Sequence, residues 1–120
     1  MKSFISIGMI VMLAPVFVFG APFGKATTTY NHDVAPILNA SCVSCHHGAN
    51  PPKGVDLTTY AKIMADKVNG VKIVKPSHAS TSLLYKVLNG HPVQMPPSGP
   101  LPAAKKATIQ KWINQGAKKQ

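Results

Sequence analysis

The sequence predicts an all-α domain of about four short helices joined by long irregular loops. Three observations predict it. Apolar residues recur at i, i+3, i+4 spacing in four separate stretches. Turn residues close three of these stretches after two or three turns. The prolines Pro92, Pro96, Pro97, Pro100 and Pro102 exclude a regular element between the last two stretches. At 120 residues the chain has room for one domain, and not for a multidomain enzyme, a barrel or a doubly wound sheet.

Residues 1–20 read as an export signal. Lys2 supplies the positive start, Phe4 to Phe19 is almost wholly apolar, and Val18 and Gly20 are the small residues ahead of a cut before Ala21. The alternative is an uncleaved N-terminal anchor. Both put the remainder outside the cytoplasm, in a periplasm or otherwise exported. Residues 21–29 read as a flexible leader, and the domain proper spans 30–120.

The first helix follows Asn31 or Asp33 as cap and carries Val34, Ile37 and Leu38 on one face. It runs into Cys42-Val43-Ser44-Cys45-His46, and His47 to Gly54 is a proline- and glycine-containing loop. Thr58 caps a second helix with Tyr60, Ile63 and Met64 apolar, and Asn69-Gly70 marks a turn. Val71 to Val74 has strand character but no evident partner, and Pro76 ends it. Ser80 or Thr81 starts a third helix carrying Leu83, Leu84, Val87 and Leu88, closed by Asn89-Gly90. The last helix runs from about Ala103 to Gln115. Its expected inner face is Ala104, Ala107, Thr108, Trp112 and Ile113, with Trp112 packed across Val34, Ile37 or Leu38. Gly116 follows as the residue that ends it.

Four short helices with loops of a dozen residues make a poor core by themselves. Such loops inside a compact domain point to something that fills the centre. The chain itself names a candidate. Cys42-Val43-Ser44-Cys45-His46 fits the C-x-x-C-H pattern of covalent haem attachment. On one helical turn, thiols at i and i+3 face the same way and can add to the two vinyl groups of one haem. His46 projects from the same face as the proximal iron ligand. Two other readings share this spacing: a disulfide between Cys42 and Cys45, and a zinc site of Cys42, Cys45, His46 or His47 and a distant histidine. Both cysteines of the chain lie inside the motif, behind an export signal, which favours haem.

With these residues in view, the chain resembles the small single-haem c-type cytochromes (class I-like, His/Met ligated), which also occur as haem modules in larger bacterial proteins. The resemblance covers about residues 30–117. It rests on Val34-Ala35-Pro36-Ile37-Leu38 before the haem motif, then Ser82 to Leu88, then Met95-Pro96-Pro97, and finally Trp112-Ile113-Asn114-Gln115-Gly116-Ala117. It implies a cytochrome c-like fold wrapped around one covalently attached haem c. It also implies that a carbonyl of Pro51 or Pro52 orients the ring of His46. Pro102 departs from the pattern, standing where a Ser or Thr helix cap is usual.

For the sixth ligand, Met95 sits in the stiff proline loop, where a soft thioether suits the iron. The resemblance implies the same residue. His91 is the rival, Met64 sits at core spacing, and His32 and His78 lie in polar surroundings. A haem with both axial positions filled makes a one-electron carrier and not an enzyme. If Met95 does not bind, the alternative is a five-coordinate haem protein that binds gas or turns over peroxide. A haem-free thiol or metal-binding protein is the third reading. The three aspartates, Asp33, Asp56 and Asp66, are too scattered for acid–base catalysis.

The formal charge is +10, all cations being lysine. It suits a redox protein with an acidic docking face as partner. The lack of arginine and the export signal argue against nucleic acid. Membrane association is expected only if the signal segment is uncleaved, and the expected state is a monomer.

Overall fold

The computed structural model describes residues 14–16, 20 and 26–120. The expected signal segment and residues 21–25 of the leader otherwise lie outside the described residues. Ala26 to Thr29 do not hang free of the domain. Thr28 is buried, its amide donates to Gln115 Oε1 at 2.8 Å, and Gln115 Nε2 donates to the Ala26 carbonyl at 3.3 Å. Residues ahead of Tyr30 therefore pack onto the domain.

The first helix opens as a wide turn over Tyr30–Val34 and continues as α1, Ala35–Ser41. Val34, Ile37 and Leu38 are buried, as their spacing requires. Neither Asn31 nor Asp33 is the residue that precedes the helix. That place is held by the extended Thr29. Asp33 acts from inside the first turn, its carboxylate accepting from the Thr29 amide at 2.8 Å. A carboxylate there also faces the positive end of the helix dipole.

Helix α2 spans Tyr60–Ala65, with Thr59 as its cap accepting from the Lys62 amide at 3.3 Å. The expected cap, Thr58, is drawn instead to Asp56. Ile63 is fully buried, while Tyr60 and Met64 are half-buried against the core.

The all-α expectation needs one correction, because a small hairpin follows α2. Strands β1 (Lys67–Val68) and β2 (Val71–Lys72) pair antiparallel, with Val68 opposite Val71. Asn69 and Gly70 both have positive φ, 49° and 80°, as a two-residue type I′ turn requires. The strand expected over Val71 to Val74 is confined to Val71–Lys72, and its partner, Lys67–Val68, is too short for an alternating pattern to show in the sequence.

The third helix starts later than Ser80 or Thr81, because Ala79–Thr81 closes a tight turn of its own. Helix α3 is Leu83–Leu88, with Leu84 and Leu88 buried. Ser82 between them is fully buried. Its hydroxyl accepts from the Lys75 amide at 2.8 Å and donates to the His78 carbonyl at 2.9 Å.

The proline segment after α3 is irregular up to α4, Ala103–Asn114. Pro102 supplies no side-chain cap, but its carbonyl accepts from the Lys105 and Lys106 amides. The inner face of α4 is rotated from the expected one. Ile109, Trp112 and Ile113 are buried, whereas Ala104 and Ala107 are exposed. The alanines carry little apolar area, so the large side chains decide which side turns inward.

Gly116, with φ 102°, ends α4 as expected. Its amide reaches the Ile113 carbonyl at 3.0 Å and the Ala117 amide the Trp112 carbonyl at 2.9 Å, the paired bonds of a Schellman motif. The tail then doubles back over the start of the first helix. The Lys118 carbonyl accepts from the Tyr30 amide at 2.9 Å and from Trp112 Nε1 at 2.8 Å, and the Lys119 carbonyl accepts from the Asn31 amide at 3.1 Å. Helix-start amides without intrahelical partners are thereby satisfied. The Tyr60 hydroxyl donates to the Ala117 carbonyl at 2.8 Å. The Tyr30 ring stands between those of Tyr60 and Trp112, with centroids 5.4 and 6.0 Å away. So α4 packs on the Tyr30–Val34 turn, where Trp112 meets the Tyr30 ring, and also on α3 and the Ala79–Thr81 turn.

Ser82→Ala leaves the half-buried Lys75 amide without its acceptor. A loss of roughly 1–3 kcal/mol in unfolding free energy is expected, measured by urea denaturation. An unchanged midpoint would show that the hydroxyl does not hold the 75–82 turn together.

Candidate functional site

Helix α1 ends at Ser41, and the cysteine pair lies on the turn that follows it. The Cys42 amide donates to the Leu38 carbonyl at 2.8 Å, and the Cys45 and His46 amides both donate to the Cys42 carbonyl, at 3.2 and 2.9 Å. One turn thus carries Cys42, Cys45 and His46. Cys42 is half-buried, Cys45 is exposed, and both are free thiols. Burial pushes the Cys42 thiol above its usual pKa, and the neighbouring Cys45 adds to the rise.

His46 is half-buried, and its Nδ1 lies 3.2 Å from the Val55 carbonyl. A carbonyl can only accept, so Nδ1 carries the proton and Nε2 keeps its lone pair free for a metal. The acceptor is not Pro51 or Pro52, as the resemblance implied. Their carbonyls accept from the Gly54 and Val55 amides at 2.9 and 3.1 Å, closing the Pro52–Gly54 turn. That turn brings the next carbonyl along the chain, Val55, onto the ring. A second bond, Leu57 amide to His46 carbonyl at 2.9 Å, pins the same stretch.

His47 is exposed and its Nδ1 turns back to the Val43 carbonyl at 2.6 Å. Among the described residues no three His, Cys, Asp or Glu side chains stand together as metal ligands. The zinc reading of the motif therefore finds no ligand set. The motif does have the donors a haem c needs: two thiols one turn apart and an imidazole with Nε2 open.

Sequence reasoning missed the group that holds Val55. Asp56 is only 7% exposed. Its carboxylate accepts from the Thr58 amide at 2.9 Å, from the Thr58 hydroxyl, and from the Lys62 ammonium. The Lys62 ammonium first, then the Thr58 hydroxyl and amide, lower the Asp56 pKa to about 2. The readable signal was Asp-x-Thr, an Asx turn ahead of a helix.

Met95 is half-buried in the loop after α3. Its amide donates to the Val87 carbonyl at 2.9 Å, and its carbonyl accepts from Gln94 Nε2 at 2.8 Å. His91 is exposed at the rim of a hollow of about 410 Å³ lined by Val68, Val71, Leu83, Lys86 and Pro92 among others. That hollow does not include Cys42, Cys45, His46 or Met95.

Residues 42–99, just under half of the chain, match the family described as Planctomycete cytochrome C. The match begins at the first cysteine of the motif and supports a cytochrome c-type domain, which implies a haem c and electron transfer. No curated protein and no solved structure matches the chain.

The pH dependence follows from Asp56. An unfolded aspartate titrates at about 3.9, above the folded value of about 2. The stabilisation is therefore full above about pH 4 and lost as the pH falls through about 2. Asp56→Asn should be less stable at neutral pH and lose less stability than the native chain on acidification over that range. Denaturant midpoints across a pH series check this, and parallel curves would contradict it.

Proposed function

We propose that the chain is an exported one-electron carrier with one haem c, bound through Cys42 and Cys45 and ligated by His46 and Met95. The observation that carries the proposal is the single turn bearing both thiols and an imidazole whose Nδ1 is held by the Val55 carbonyl. The family match that begins at Cys42 supports the same reading. The group supplies a one-electron couple, tuned by its axial ligands and surroundings.

The protein's part is to hold and shield. Cys42 and Cys45 anchor the group covalently. His46 presents Nε2 because Nδ1 is engaged. Met95 is offered from a backbone pinned at both its amide and its carbonyl, so little loop entropy is lost on ligation. A thioether ligand favours ferrous iron and raises the potential. With both axial positions filled, the protein carries electrons and is not an enzyme.

Export follows from the N-terminal segment and from the covalent attachment itself. Outside the N-terminal segment the chain carries twelve lysines against three aspartates, and Asp33 and Asp56 already have internal partners. Such a field suits a redox partner with an acidic face and a monomeric carrier that meets it briefly.

The visible spectrum of the exported protein tests the ligands. The native chain should give a low-spin spectrum with the weak long-wavelength ferric band of methionine sulfur on iron. Met95→Ala should keep the haem, lose that band, bind carbon monoxide and have a lower potential. If His91→Ala does these things and Met95→Ala does not, the sixth ligand is misassigned.

Salt tests the docking role. The rate of electron transfer to an anionic acceptor should fall steeply as ionic strength rises, while the spectrum stays constant. A salt-independent rate in stopped-flow mixing would remove the charge from the docking account.

A further inference from the structure

The peptide unit joining Val55 to Asp56 has both of its polar atoms engaged. Its carbonyl accepts from His46 Nδ1 at 3.2 Å. Its N–H donates to Asp66 Oδ2 at 3.0 Å. Imidazole, peptide and carboxylate therefore stand in series, with the two side chains twenty positions apart in the sequence.

We propose that Asp66 is a positioning residue for His46, acting through the Val55–Asp56 peptide to strengthen the hydrogen bond on Nδ1. The proposal rests on the reading of His46 as the haem ligand. A carboxylate accepting from an amide N–H makes a charge-assisted bond and polarises the amide toward its oxygen. Hydrogen bonds in series reinforce one another in this way. The Val55 oxygen then becomes a stronger acceptor for Nδ1–H. A ring that gives more of its Nδ1 proton becomes a better donor at Nε2. A stronger nitrogen donor favours ferric iron, so the relay lowers the potential, opposite to the thioether.

Asp66 is held for this role from both sides. Its amide donates to the Lys62 carbonyl at 2.8 Å and its carbonyl accepts from the Ile73 amide at 3.1 Å. The end of α2 and the residue after the hairpin thus fix its backbone, and its side chain is half-buried. The helix dipole does not account for a carboxylate here, since the C-terminal end of a helix favours cations. Nor does an ion pair. Among the described residues the ion pairs involve Asp33 and Asp56 and leave Asp66 out. Asp56 spends its carboxylate on Thr58 and Lys62. Asp66 keeps its charge for the peptide.

The haem-loaded native protein is compared with Asp66→Asn and Asp66→Ala. Asparagine keeps an acceptor oxygen and removes the charge, so the fold is retained. The midpoint potential should rise in Asp66→Asn and rise further in Asp66→Ala. In the diamagnetic ferrous protein the His46 Nδ1–H and Asp56 amide proton resonances should both shift upfield, in the same order. A raised potential with an unmoved Nδ1–H would mean a through-space charge effect and would overturn the relay. A lowered denaturation midpoint with potential and Nδ1–H unchanged would assign Asp66 a purely structural role and overturn it equally. A native protein that carries no covalent haem would overturn the functional reading, and this proposal with it.

Discussion

The hydrogen bond from His46 Nδ1 to the Val55 carbonyl is the constraint on which the site depends. It settles which ring nitrogen is protonated and leaves the other nitrogen open. It also closes the loop from His47 to Gly54 onto the cysteine turn, together with the bond from the Leu57 amide to the His46 carbonyl. Everything that fixes Val55 therefore fixes the ring. The Pro52–Gly54 turn delivers it from one side, and the Asp56 carboxylate, gathering Thr58 and Lys62, holds it from the other. A chain with thirteen lysines and three aspartates directs two of the three carboxylates at this one stretch.

The rest of the fold makes that stretch rigid by tying the two ends of the domain together. The tail after α4 supplies the carbonyls that the first amides of the first helix lack. Trp112 is fully buried beneath this crossing, its indole N–H satisfied by Lys118. The helix so anchored is the one that runs into Cys42. Packing at the termini thus reaches the site through α1 and the tight turn that follows it directly at Cys42.

The sequence made the helices and the cysteine turn legible because both are written in short-range spacing. Val34, Ile37 and Leu38 bury one face of a helix, and the amide bonds at Cys45 and His46 close a turn on the Cys42 carbonyl directly after it. What was not legible depends on contacts between distant segments or on very short elements. The hairpin at Asn69-Gly70 has strands of two residues, too short for a period to appear. Ile109 could not be separated from Ala107 by spacing alone, because the side of α4 that turns inward is decided by what it meets. The ring acceptor moved from Pro51 or Pro52 to Val55 because a tight turn consumes the first two carbonyls. The Asp66 carboxylate at the end of α2 reaches back over ten positions to the Asp56 amide, and no local pattern announces that.

The claim at the centre of this account is that Cys42 and Cys45 hold a haem. The most direct measurement is the mass of the tryptic fragment spanning Ala26 to Lys53 from the exported protein, which contains both cysteines and no internal lysine. The account predicts that this fragment carries the added mass of one haem, and that changing both cysteines to serine removes it. A fragment at its bare peptide mass, with two free thiols or a disulfide, would contradict the account.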